Sequence, residues 1–161
     1  MQIVPIEQNA GWPAQSDISP DGPAAAAAIL GVDDEPFVAE ELAEGLMLRG
    51  YEVMTANSAA AALESLAAAP AIRVMVTDIR MPGTDGLSLA RAVLSSRPAA
   101  QAVEVVLITG HASAEDAAAG RDAGAIAFVR KPFLLDEIEQ AVVRALARAA
   151  ERRDGAGPAG G

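Results

Sequence analysis

The sequence predicts an α/β fold in which five parallel strands form one doubly wound sheet with helices on both faces. The first observation is an alternation, repeated five times, between a short apolar run and a longer stretch of helical character. The second is that the third and fourth runs are apolar along nearly their whole length, as in strands that helices cover on both faces. Because strand–helix–strand crossovers are right-handed, such repeated units build a parallel sheet with helices above and below it.

The predicted strands are short runs rich in valine, leucine, isoleucine and alanine. The second run alternates between polar and apolar residues, which is typical of an edge strand. The third run ends in a single carboxylate, Asp78, and its apolar character indicates a central strand. The five predicted strands are residues 28–32, 51–55, 74–78, 103–109 and 125–129.

Residues typical of helix ends delimit the five predicted helices. Pro36 lies in the first turn of the first helix, and Gly50 ends that helix. Ser58 caps the second helix, and the third stops before Pro98. The fourth offers little besides alanine methyl groups for burial, so we expect it to be the most mobile. The five predicted helices are residues 36–49, 59–69, 87–96, 113–123 and 134–150.

The length of 161 residues suits one domain with a sizeable core. We expect residues 27–150 to form this domain, because the strands and helices lie there. Both ends of the chain lack clear periodicity and are rich in proline, glycine and small or polar residues. We therefore expect a flexible N-terminal tail over residues 1–26 and a disordered C-terminal tail over residues 151–161.

Composition excludes several classes of function. The formal net charge of −10 opposes nucleic-acid binding, which needs clustered lysine and arginine. The absence of cysteine excludes disulfides and thiolate metal sites. No apolar run reaches the roughly 18 residues needed to span a bilayer. A cytoplasmic protein without membrane attachment is the expectation.

Four of the predicted strands have polar residues at their carboxyl ends, either as the last residue of the strand or directly after it. Asp33 and Asp34 follow the first strand, and Asp78 ends the third. Thr109 ends the fourth strand, and Lys131 follows the fifth. Because carboxyl ends of parallel strands meet at one edge, where such sheets bind ligands, we expect these groups to converge. Asp78 taken alone could simply cap the helix after its strand.

Electrostatics favours a functional role for this cluster. Two like charges about 4 Å apart cost about 4 kcal/mol at an effective dielectric near 20, against a total stability of about 5–15 kcal/mol. A divalent cation would remove that cost, and Mg²⁺ prefers carboxylate oxygens and often shares its shell with a phosphate. Lys131 adds a positive charge suited to a phosphoryl oxygen, and Thr109 adds a hydroxyl. Together these groups indicate phosphoryl transfer onto Asp78.

Four segments in this order resemble the receiver domain of two-component response regulators. They are residues 32–35 (VDDE), 77–86 (TDIRMPGTDG), 108–110 (ITG) and 128–133 (FVRKPF). The resemblance covers about residues 29–146. It implies a flavodoxin-like (βα)5 fold with strand order 2-1-3-4-5.

The resemblance also implies a role for each residue of the acidic cluster. Asp78 is implied to be the phosphoacceptor. Asp34 and Asp78 are implied to ligate Mg²⁺ or Mn²⁺, with Asp33 acting mainly through water and the backbone carbonyl of Arg80 completing the shell. Lys131 is implied to contact the phosphoryl group and to precede a cis peptide bond to proline.

Further roles concern switching and the lifetime of the phosphoryl group. Thr109 is implied to move toward the phosphoryl group, and Phe128 occupies the position of the switch aromatic. Arg80 and His111 lie two residues after Asp78 and Thr109, where side chains in this family tune how long the phosphoryl group survives. His111 is the only histidine, and we interpret it as a residue at the lip of the site.

The implied partners are a phosphohistidine donor and a target. The donor would be a sensor histidine kinase or a histidine phosphotransfer protein. The surface of the fourth helix, fifth strand and fifth helix would bind a target protein or a second copy of the chain. The protein would not be an enzyme beyond phosphorylating and dephosphorylating itself.

Three alternatives remain to this interpretation. Because little sequence follows the fifth helix, we expect a stand-alone receiver, but the chain could instead be a receiver from a longer regulator or hybrid kinase. A Mg²⁺-dependent phosphatase with an aspartyl nucleophile usually has a second carboxylate two residues later, where Arg80 stands. A flavin-binding protein of the same topology is disfavoured, because the acidic loop after the first strand would repel a phosphate.

Overall fold

The computed structural model describes residues 28–98, 101–110 and 114–155. Five parallel strands form one sheet in the order β2-β1-β3-β4-β5, which confirms the predicted fold class and strand order. The strands are β1 (Ala28–Val32), β2 (Glu52–Ala56), β3 (Ile72–Asp78), β4 (Glu104–Thr109) and β5 (Ala127–Arg130). The helices are α1 (Pro36–Leu48), α2 (Ala59–Ala68), α3 (Gly86–Ser96), α4 (Ala114–Ala123) and α5 (Leu135–Gly155).

The sheet separates two apolar cores, because successive side chains of a strand point to opposite faces. Leu30 and Met75 belong to the core between the sheet and helices α2 and α3. Val76 and Val106 belong to the core on the other face, with helices α1 and α5. All residues of β1 and β4 are buried, as expected for strands covered on both faces.

The end of α5 differs from the prediction. The helix continues to Gly155 instead of ending at residue 150, so residues 151–155 are not part of a disordered tail. Arg152 explains the difference, because its guanidinium donates a hydrogen bond of 2.7 Å to the buried carboxylate of Glu104. Arg153 donates to the carbonyl oxygens of Ala102 and Ile72, both at 3.1 Å. The remainder of both predicted tails lies outside the described residues.

Helix α4 has the weakest anchorage to the sheet. Within α4, as the structure describes it, Gly120 is the only buried residue. A Cβ atom on Gly120 would lie 2.9 Å from Cδ1 of Leu107, so glycine lets the helix lie close to β4. The higher mobility of this helix stays a prediction.

Helix length and apolarity also bear on membrane insertion. None of the helices in the described part of the chain is long and apolar enough to cross a membrane.

Candidate functional site

Asp78 lies at the carboxyl end of β3, in the centre of the sheet, and is 7% exposed. The loop that follows is held close to the strand end, since Ile79 N donates to the carbonyl of Ile108 at 2.9 Å and Gly86 N donates to the carbonyl of Ile79 at 2.8 Å. A Cβ atom on Gly86 would lie 2.2 Å from the carbonyl oxygen of Asp78. Only glycine fits at this close approach, which fixes where α3 begins.

Asp33 and Asp34 lie directly after β1, next to Asp78. Asp33 is 5% exposed, and its Oδ1 accepts a hydrogen bond of 2.9 Å from the backbone N–H of Glu35. The carbonyl oxygen of Asp33 accepts one of 3.1 Å from the side-chain amide of Asn57, which holds the β1 and β2 loops together. Each of the three aspartates offers one carboxylate oxygen, and these three oxygens all lie within 4.8 Å of one another.

Lys131 provides a positive charge at this cluster. Its Nζ lies 3.3 Å from Oδ1 of Asp78 and 3.4 Å from Oδ2 of Asp33. The backbone N–H of Lys131 donates to the carbonyl of Thr109 at 2.7 Å, and the Lys131–Pro132 peptide bond is cis, as expected. Burial lowers the pKa of Lys131, but the charges and hydrogen bonds of Asp78 and Asp33 outweigh it and leave the pKa above its ordinary value. Lys131 is therefore charged at neutral pH.

The cluster carries more negative than positive charge. Burial raises the pKa of Asp78 above its ordinary value, the negative charges of Asp33 and Asp34 raise it further, and Lys131 opposes the shift. Three carboxylates thus face one ammonium group. Close-set carboxylate oxygens with excess negative charge fit a hard divalent cation such as Mg²⁺.

Thr109 lies on β4 and Phe128 on β5. Thr109 is the last residue of β4 and is fully buried. It is one residue beyond Ile108, which pairs with Asp78 across the sheet. Phe128 is half-buried and pairs with Leu107, two positions further from the carboxyl edge. Phe128 therefore lies further from the acidic cluster than Thr109 does, on the neighbouring strand.

The structure gives Arg80 a partner that sequence reasoning missed. Its guanidinium lies 3.1 Å from Oδ2 of Asp116 in the first turn of α4. No local pattern links these two residues, because they are 36 positions apart in the sequence. Asn57 was also missed, since nothing marks its amide as a partner of the β1 loop. His111 lies outside the described residues.

Comparison with known proteins agrees with this arrangement. Residues 29–143 match the family model of the response regulator receiver domain. The response regulator MprA of Mycobacterium leprae is 37% identical over 128 residues, which cover 80% of this chain and 54% of MprA. The C4-dicarboxylate transport transcriptional regulatory protein DctD of Rhizobium meliloti is 36% identical over 121 residues, 75% of this chain and 25% of DctD.

A solved receiver domain protein from Clostridium thermocellum has a similar structure, with a TM-score of 0.69 and 29% sequence identity. The match covers 76% of this chain and 95% of that protein. By contrast, the chain spans about half or less of the length of the two curated relatives. Because the family model matches residues 29–143, most of the chain, the chain belongs to the response regulator receiver domain family.

Proposed function

We propose that Asp78 accepts a phosphoryl group from a phosphohistidine of a sensor kinase or phosphotransfer protein in the cytoplasm. The observation that carries this proposal is the position of its carboxylate. It ends the central strand, lies 3.3 Å from the ammonium of Lys131, and shares its site with Asp33 and Asp34. A receiver family member with this arrangement is suited to phosphoryl transfer.

The transfer converts a nitrogen–phosphorus bond into an oxygen–phosphorus bond. A carboxylate oxygen of Asp78 attacks the phosphorus atom, and the P–N bond to the donor imidazole breaks. The electron pair of that bond stays on the imidazole nitrogen, which takes up a proton. Lys131 donates a hydrogen bond to a phosphoryl oxygen, because its Nζ already lies beside Oδ1 of Asp78.

Asp33, Asp34 and Asp78 would hold Mg²⁺ or Mn²⁺, together with the backbone carbonyl of Arg80. We assign Asp34 and Asp78 as direct ligands and Asp33 as a ligand acting mainly through water. Asp33 suits that role, because its two carboxylate oxygens already bond to Glu35 N and Lys131. The bound cation would neutralise negative charge on the carboxylates and on the phosphoryl oxygens.

Signal output would follow from the added charge beside Thr109. The Thr109 hydroxyl turns toward the phosphoryl group, and the Phe128 ring moves into the space that this opens. Helix α4 responds because it is weakly anchored, which changes the surface formed by α4, β5 and α5. The partner on this surface is a target protein or a second copy of the chain, and no nucleic acid is involved.

Intact-mass measurement tests the proposal. The protein is incubated with Mg²⁺ and a small acyl phosphate, and we expect the mass of one phosphoryl group to be added. Asp78→Asn should remove the label. Asp85→Asn is the matched control, because Asp85 lies in the same loop and caps α3, a role that asparagine also performs. Equal labelling of Asp78→Asn and wild type would contradict the assignment of Asp78 as the phosphoacceptor. Sustained turnover of an aryl phosphate would instead favour a phosphatase.

The output step has its own test. Phe128→Ala should leave acyl-phosphate labelling of Asp78 intact and should uncouple it from changes on the α4–β5–α5 surface. Hydrogen exchange of residues 114–128 is compared with and without a phosphoryl mimic and Mg²⁺. Protection changes that occur elsewhere but not in this segment would refute this account of signalling.

A further inference from the structure

Arg80 and Asp116 form an ion pair that joins the loop after β3 to the first turn of α4. One guanidinium nitrogen of Arg80 lies 3.1 Å from Oδ2 of Asp116. The Arg80 side chain is 64% exposed, whereas that of Asp116 is only 15% exposed. The carboxylate of Asp116 is therefore largely shielded from water, and Arg80 is the partner with more freedom to move.

This ion pair belongs to a helix that buries little of its own surface. Gly120 is the only buried residue within α4, and it lies more than one turn away from Asp116. Every other position of α4 is half-buried or exposed in the part of the chain that the structure describes. A single ion pair can therefore change the position of the first turn of α4 appreciably, although it would matter little on a well-packed helix.

Phosphorylation of Asp78 would create a competitor for Arg80. A phosphoryl group brings close to two negative charges and three acceptor oxygens. Arg80 lies two residues after Asp78. A guanidinium can donate two parallel hydrogen bonds to a phosphoryl group, whereas Arg80 contacts only one carboxylate oxygen of Asp116. Because the Arg80 guanidinium is mostly exposed, its pair with Asp116 is weak enough for this competition to succeed.

We infer that Asp116 is a positioning residue that keeps Arg80 on α4 until Asp78 is phosphorylated. The phosphoryl group then draws Arg80 away and releases the first turn of α4. This inference rests on the proposed function of Asp78 and adds a named contact through which that site acts on α4. The contact acts together with the Thr109 and Phe128 route, and both are required for the full response of α4.

Hydrogen exchange of residues 114–123 in the full chain tests the inference, with beryllofluoride and Mg²⁺ as the phosphoryl mimic. Asp116→Asn should raise exchange of residues 118–121, whose N–H groups bond to the carbonyls of the first turn, about two- to fivefold without the mimic, the size expected for loss of a partly exposed ion pair. The mimic should then add little further exchange there. Arg80→Ala should have the same effect, and the double variant should exceed neither single variant.

Glu115→Gln is the matched control. Glu115 lies in the same first turn and carries the same charge, so its replacement weakens the helix dipole interaction equally without touching the pair. The inference predicts that Glu115→Gln keeps the full response to the mimic and that Asp116→Glu restores part of it. Unchanged α4 exchange in Asp116→Asn, or an equal effect of Glu115→Gln, would overturn the inference. Failure of acyl phosphate to label the wild-type protein would instead overturn the proposed function.

Discussion

The two edges of the sheet each bury an acidic group beside a basic one, yet they differ in how the charges balance. At the carboxyl edge, three carboxylates face the ammonium of Lys131. At the amino edge, the Glu104 carboxylate is 2% exposed and faces Arg152 at 2.7 Å. Arg153 donates hydrogen bonds from its guanidinium to three backbone carbonyls nearby.

The difference separates a structural ion pair from a candidate ligand site. A buried charge is tolerated when it is paired and hydrogen-bonded, and Glu104 meets that condition within the protein. Burial lowers the pKa of Arg153, and the charges of Arg73 and Arg97 nearby lower it further. At the amino edge, several guanidinium groups thus accompany the single carboxylate of Glu104. These arginine side chains are partly exposed to water, although Nε of Arg73 is buried without a hydrogen-bond partner in the described part of the chain. At the carboxyl edge, Asp33 and Asp78 are buried, so water screens their charges less, and this excess of negative charge suits a cation.

The largest effect on stability should come from the amino edge. Arg152→Ala leaves the Glu104 carboxylate buried without its partner, and breaking a buried pair costs about 3 kcal/mol or more. Urea unfolding measures this loss, with Arg148→Ala as a control on an exposed position of the same helix. Equal stability of the two variants would show that the pair does not hold α5 to the sheet. Labelling of Asp78 should persist in Arg152→Ala under folding conditions.

The carboxyl edge should instead respond to a metal ion. We expect Mg²⁺ to bind the folded cluster and not the unfolded chain, so a hundredfold excess over its dissociation constant should stabilise the protein by about 2.7 kcal/mol. Asp34→Ala should abolish most of this gain, because it removes one of the three clustered carboxylates. Arg152→Ala should keep the full gain. Thermal unfolding measures both, and a melting temperature insensitive to high-millimolar Mg²⁺ would count against the site.

Replacing Asp78 should have a smaller effect on the free energy of unfolding when a chelator keeps the protein free of metal. Because the pKa of Asp78 is raised by burial and by its acidic neighbours, its charged form destabilises the metal-free folded state. Asp78→Asn should therefore raise the free energy of unfolding at neutral pH.

The pH dependence of this gain has a definite sign. Asparagine resembles the protonated carboxyl, so the two proteins should be equally stable below the unfolded-state pKa, which is about 4. The wild-type protein loses stability as pH rises from the unfolded-state pKa through the raised folded-state pKa of Asp78. Over this range the free energy of unfolding of Asp78→Asn should come to exceed that of wild type. Urea unfolding across this pH range measures it. A gap that narrows with rising pH would contradict the charge balance described here.

The fold was predictable because the apolar runs and helix-end residues act locally. The convergence of Asp33, Asp78 and Lys131 was predictable as well, because parallel strands bring their carboxyl ends to one edge. Contacts that neither the strand order nor a periodic pattern brings together were not predictable. Neither the Glu104–Arg152 pair nor the Arg80–Asp116 pair follows a periodic pattern, so α5 was predicted too short and Asp116 was overlooked.

The most direct test of the central claim is to locate the phosphoryl group on the chain. After acyl-phosphate labelling with Mg²⁺, hydride reduction converts an aspartyl phosphate to homoserine, and peptide mass spectrometry identifies the converted position. We predict homoserine at position 78 and at none of the neighbouring aspartates, Asp33, Asp34 and Asp85. Homoserine at one of those positions, or no conversion of a fully folded protein, would contradict the assignment of Asp78 as the phosphoacceptor.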